Sequence, residues 1–172
     1  MKVLIDRGLT SLIAVAALTV GWNVAPAAAE SAYTPTMADM MSIQAAIHNY
    51  MLGLEKRDTH AEAGAFTEDG ILAVYHYDRE VVHLVGRKAI EGAMSAGDIW
   101  DFYGNDYYEF QSPTHATHYA YWLDVHPPKA AAGESSVGQS STIGVPGHYD
   151  DVLAKVGGKW LFKQRIVYVG VK

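Results

Sequence analysis

The sequence predicts an α+β protein in which a curved sheet, mixed or antiparallel, wraps over N-terminal helices. Three observations predict it. Met40, Ile43, Ile47, Tyr50, Met51 and Leu54 recur at steps of three and four, the period of an amphipathic helix. Helical patterns come first and strand patterns last, through residues 115–125, 148–156 and 160–169. Gly157-Gly158 separates the last two strands as a tight hairpin.

The elements follow in order. Thr36 caps the first helix and Asp39, three residues on, reaches back to it. The helix ends near Arg57-Asp58, and a short second helix covers residues 60–66. Glu68-Asp69-Gly70 reads as a turn. Residues 71–77 and 81–85 read as a strand pair around Asp78-Arg79-Glu80. Residues 86–94 read as a third helix. Residues 98–111 are aromatic and acidic without a clear period, and are expected to form a loop or short helix covering something. Within them, Tyr103, Tyr107, Tyr108 and Phe110 could form a lid. Strands are expected at 115–125, 137–145, 148–156 and 160–169, with a low-complexity turn at 127–136.

The ends and the composition bound the function. Lys2 and Arg7 precede an apolar run from Leu9 to Trp22, and Ala27-Ala28-Ala29 supplies small residues for cleavage. Residues 1–29 therefore read as a secretory signal cut after Ala29, and residues 30–172 as one domain, periplasmic or secreted and off the membrane once cleaved. A net charge of −6 argues against a nucleic-acid partner, which rewards clustered Lys and Arg. There is no cysteine, which excludes thiol catalysis and Cys-ligated zinc. Eleven tyrosines and eight histidines suggest a cavity with polar-tipped walls, which would suit a small-molecule substrate, or a Tyr-rich core whose hydroxyls find partners.

The stretch SPTHATHYAYWLDVHP concentrates histidines. Alternation along the strand sets His118 beside Ala116, Ala120 and Trp122, with His115, Thr117, Tyr119 and Tyr121 on the other face. The small alanines leave room for a ligand, and Trp122 offers it a flat apolar surface. His118 can act as general acid or base if a carboxylate fixes its tautomer. A buried Tyr75 phenol could stabilise charge on a substrate oxygen. Asp58 could contact substrate, or cap a helix. Tyr149 and Asp151 read as structural. His115 and His118 point to opposite faces and there is no His-Glu-x-x-His, so no metal is expected. No nucleotide-binding glycine motif is present, and no cofactor is expected.

Three segments carry a family resemblance: IQAAIHNYMLGLEKRDTHAEAGAFTEDGIL, VGRKAIEGAM and GHYDDVLAKVGGKWLFKQRIVYVG. They resemble the SnoaL-like branch of the NTF2-like (cystatin-like cone) superfamily, nearest the scytalone dehydratase and bile-acid dehydratase group. That resemblance implies a cofactor-independent lyase acting on a hydroxylated aromatic or polycyclic molecule. It implies His118 as the proton carrier, Glu55 as its orienting acid, Tyr75 as the polarising phenol and Tyr50 as an aromatic pocket residue. His148 would substitute for the group's second histidine. It also leaves open formaldehyde-releasing retro-aldol cleavage of lignin-derived diaryl alcohols, ketosteroid-type isomerisation, or a non-catalytic binding or dimerisation domain. A homodimer or homotrimer is the assembly expected.

Overall fold

The computed structural model describes residues 33–93, 99–128, 135 and 138–170. The expected signal, residues 1–29, lies outside the described residues. Helix α1, Met37–Lys56, opens with the predicted capping box. The Thr36 hydroxyl accepts from the Asp39 N–H at 3.1 Å, and the Asp39 carboxylate accepts from the Thr36 N–H at 2.9 Å. The same carboxylate accepts from Lys155 Nζ at 2.7 Å and Trp160 Nε1 at 2.9 Å, which ties the helix start to the sheet. Helix α2, Thr59–Gly64, starts at Asp58, whose side chain accepts from the Ala61 N–H.

Strands β1 (Phe66–His76) and β2 (Arg79–Val85) form the first hairpin, and α3 (Arg87–Ala93) follows. Strands β3 (Trp100–Ser112), β4 (His115–His126), β5 (Thr142–Ile143), β6 (Gly147–Val156) and β7 (Lys159–Val169) complete the fold. The sheet order is β2-β1-β7-β6-β4-β3, with β5 paired to β4. All pairs are antiparallel except β1 with β7, so the sheet is mixed.

Five sequence expectations change, the first being the turn after β1, which is Tyr77-Asp78 because Arg79 and Glu80 already pair with His76 and Tyr75. Residues 98–111 are neither loop nor helix: most of the segment is β3, thirteen residues long. A register shift between Gly104 and Tyr107 hides its period, because inward positions move from Asp101 and Tyr103 to Tyr108, Phe110 and Ser112. Of the strand expected at 137–145, the described residues 138–145 keep two in a strand, since exposed polar residues and Gly138 at φ 84° offer no face to bury. Glu68-Asp69-Gly70 lies inside β1, across an irregular stretch of its pairing with β7. The second helix stops at Gly64, and β1 takes Phe66.

The core lies between α1 and the inner face of the sheet. Ile43, Ile47, Tyr50 and Leu54 meet Ala116, Ala120, Leu153 and Phe162 there. Burial of each large apolar side chain contributes about 1.5–3 kcal/mol. The outer face carries the alternate residues, among them a row of rings in which Tyr75 stacks on Tyr168, Tyr168 on His148 and His148 on Tyr119.

Candidate functional site

The alternation of β4 buries His118 together with Ala116, Ala120 and Trp122, as the sequence predicts. Two carboxylates hold its ring. Nδ1 lies 2.7 Å from Asp151 Oδ2 and Nε2 lies 2.8 Å from Asp106 Oδ1. Each ring nitrogen therefore lies within hydrogen-bond reach of a carboxylate oxygen. Asp151 comes to His118 because the two residues are directly paired across β4 and β6. Asp106 comes from the bulge of β3, where Asn105 takes φ 58°.

Behind Asp151 stands Arg165, its pairing partner on β7. Arg165 Nε and Nη2 donate to the two Asp151 oxygens at 2.8 and 2.7 Å, a bidentate ion pair with both side chains fully buried. Burial pushes the Asp151 carboxyl pKa up. The Arg165 charge and hydrogen bonds, then His118, outweigh that and leave it below the usual value. Asp106, His118, Asp151 and Arg165 thus form one hydrogen-bonded chain. Its Asp106 end is the open one: the His118 side chain is 0 % exposed and that of Asp106 29 %.

Tyr108 stacks on the His118 ring at 4.7 Å and donates to Asp106 Oδ1 at 3.2 Å. Gln44 of α1 donates to the Tyr108 hydroxyl and accepts from Tyr103 at 3.0 Å. Burial, and then the Asp106 charge, raise the pKa of the Tyr108 phenol. Asp106 faces a shallow concavity of about 460 Å³, shared with Tyr33, Met40 and Phe110.

The structure does not bring the other expected residues to this centre. Glu55 is not the acid of His118; its carboxylate accepts from the Asp101 N–H at 3.4 Å, while Asp106 and Asp151 take both ring nitrogens. Tyr75 faces outward and donates to Glu80 at 2.6 Å, because it shares the face of Tyr168, its partner on β7. Tyr50 is core packing: its ring lies 4.3 Å from the Arg165 guanidinium and edge-on to Phe66 and Phe162. Trp122 is buried and stacks on Tyr149. His148 lies on the outer face between Tyr119 and Tyr168. Asp58 caps α2. Sequence reasoning missed Asp106 and gave Asp151 a structural role. The Gly147-His148-Tyr149-Asp150-Asp151 word and Arg165 in the closing strand were the available signal.

A second polar cluster sits farther along β3. The Asp101 Oδ2 accepts from the Tyr149 hydroxyl at 2.8 Å, and its buried Oδ1 has no partner among the described residues. Burial pushes the Asp101 carboxyl up to about 7; Asp124 and Glu55 add to this, while the Tyr149 hydrogen bond and Arg165 oppose it.

Comparison with known proteins agrees with the fold. No curated protein matches the sequence. A cystatin-like-fold protein of unknown function from Nostoc punctiforme PCC 73102 superposes with TM-score 0.64 at 17% identity, over 80% of this chain and 95% of that one. A candidate scytalone dehydratase from Novosphingobium aromaticivorans DSM 12444 gives TM-score 0.57 at 23% identity, over 77% and 84%. An NTF2-like protein with a cystatin-like fold, also from Novosphingobium aromaticivorans, gives TM-score 0.59 at 17% identity, over 76% and 81%. The model of the SnoaL-like domain matches residues 35–166, and the chain, with its mixed sheet wrapped over N-terminal helices, belongs to that family.

Proposed function

We propose that the protein is a small-molecule lyase of the dehydratase type, acting without a cofactor on a hydroxylated aromatic or polycyclic compound. The observation that carries this reading is the His118 ring held between Asp106 and Asp151, with Arg165 balancing the buried end. The likeness to a candidate scytalone dehydratase supports the reaction class.

Asp106 is the accessible group of the chain and acts as the base. It takes a proton from the carbon next to the one bearing the hydroxyl. The C–H electron pair becomes the new C=C bond, and the C–O bond breaks. The proton then passes from Asp106 to the departing hydroxyl, which leaves as water. His118 donates to Asp106 from Nε2 and holds it in position. Asp151, itself fixed by Arg165, holds the imidazole ring in place. The signal expected at residues 1–29 would place this activity outside the cytoplasm.

The test is elimination by the purified protein from a panel of hydroxylated aromatics and steroids, read by mass spectrometry. Asp106→Asn and His118→Gln are each expected to lower kcat about 100-fold or more. Tyr75→Phe, on the outer face, should leave it unchanged. Release of formaldehyde or movement of a double bond, lost in the same two variants, would reassign the reaction to retro-aldol cleavage or isomerisation at this centre. Binding with no turnover above buffer would overturn catalysis and leave a binding domain.

A further inference from the structure

A groove of about 310 Å³ runs between the C-terminal half of α1 and the start of β3. His48, Met51, Leu52, Glu55, Asp101 and Tyr103 line it. It is separate from the His118 centre: Asp101 pairs with Asp124, six residues beyond His118 on β4 and so about 20 Å along the strand.

The groove combines apolar surface with two carboxylates and is short of donors. Met51 and Leu52 supply apolar surface from α1, and the Tyr103 ring of β3 packs edge-on to His48 at 6.5 Å. Glu55, one turn on from Met51 and Leu52 along the same helix, accepts from the Asp101 N–H of β3 at 3.4 Å. Asp101 Oδ1 is buried and unpartnered among the described residues, while its Oδ2 is already fixed by Tyr149. A buried acceptor with no donor carries a desolvation cost, which a ligand bearing donors would remove. The titratable groups that face Asp101 come from four elements: Glu55 of α1, Asp124 of β4, the neutral Tyr149 phenol of β6 and Arg165 of β7. Two of these are carboxylates, and of the side chains lining the groove His48 is the one that can become cationic. A hydroxyl brings a single donor and leaves the negative charge uncompensated. An ammonium brings three donors and a positive charge. A flat ring attached to it fits the apolar surface, and the cation can lie against the Tyr103 face.

We propose that this groove binds a small aromatic amine, with the ammonium between Asp101 and Glu55 and the ring on Met51, Leu52 and Tyr103. The site is additional to the proton-transfer centre and does not depend on it.

The experiment is calorimetric titration of the protein with 2-phenylethylamine, using 2-phenylethanol and phenylacetate as neutral and anionic probes of the same shape. The amine is expected to bind at least about tenfold more tightly than either. Because the ammonium favours ionised Asp101, its affinity should rise about tenfold between about pH 6 and about pH 8, with proton release into the buffer. Asp101→Asn should weaken binding about tenfold or more and flatten this pH dependence. Leu52→Trp, at a half-exposed position, should block the groove by bulk while leaving the fold intact. His118→Gln should bind the amine as well as the unaltered protein does, which separates this site from the proposed reaction. Absence of amine binding, equal binding of the alcohol, or full affinity in both Asp101→Asn and Leu52→Trp would overturn the proposal.

Discussion

Glu62 is a carboxyl sealed beneath α1, and its Oε1 finds no hydrogen-bond partner among the described residues. Burial pushes its pKa up from the ordinary 4.5 to about 8, against a smaller opposing pull from Arg165. The folded protein therefore holds a proton that the unfolded chain releases at lower pH. A raised folded value contributes stability that is fully present below the unfolded pKa and is lost as pH rises through the folded one. Stability should accordingly fall as pH rises from about 4.5 to about 8. Asp101, pushed up to about 7, and Asp124, which burial also raises, act in the same direction. Glu62→Gln keeps the shape and cannot ionise. Urea midpoints measured across this range should decline clearly less in Glu62→Gln than in the unaltered protein. Parallel declines in the two proteins would mean that Glu62 ionises freely in the fold.

At the scale of elements, the contact of α1 with α2 depends on a residue with no side chain. A Cβ placed on Gly53 would lie 2.7 Å from the Glu62 Cβ and backbone N and 2.8 Å from its Cα. Helix propensity alone favours Ala over Gly by about 1 kcal/mol in a helix interior. The close approach reverses that sign, since two of the three obstructing atoms are backbone. Gly53→Ala is expected to destabilise by about 1–3 kcal/mol, read from chemical denaturation. Asp58→Ala, which removes the cap of α2, should cost about 1 kcal/mol. The same scale explains what was legible in the sequence. Helix α1 and its capping box were readable because both are local: the period and the cap lie within one segment. The face of His118 was readable because β4 alternates without a break. Its partners were not, because they depend on register. Asp106 arrives through a bulge that reverses the alternation of β3, and Asp151 through the pairing of β4 with β6. Tyr75 was expected at the site because its position along the chain matched, but pairing beside Tyr168 turns it to the outer face.

At the scale of the whole molecule, Arg165 does what an apolar residue does in most cores. Its guanidinium lies 4.3, 4.1 and 4.0 Å from the rings of Tyr50, Tyr149 and Phe162, so it joins α1, β6 and β7 at the centre of the protein. Its charge is tolerated there because Asp151 answers it with two hydrogen bonds, and Asp151 is in turn bonded to His118. Folding and the proposed chemistry therefore rest on the same buried pair. Removing one partner leaves an uncompensated buried charge, so Arg165→Met should destabilise by about 3–5 kcal/mol. Asp151→Leu should cost a similar amount, since it strands both Arg165 and His118. The double variant Asp151→Leu/Arg165→Met removes both charges and replaces them with apolar volume. Its loss should fall short of the sum of the single losses by about 0.5–3 kcal/mol, the range found for residues that share one network. Denaturation of the four proteins of this cycle measures that coupling. Simple additivity would mean that each charge is stabilised by the rest of the core independently, with the pair serving to orient His118 and contributing little to the fold.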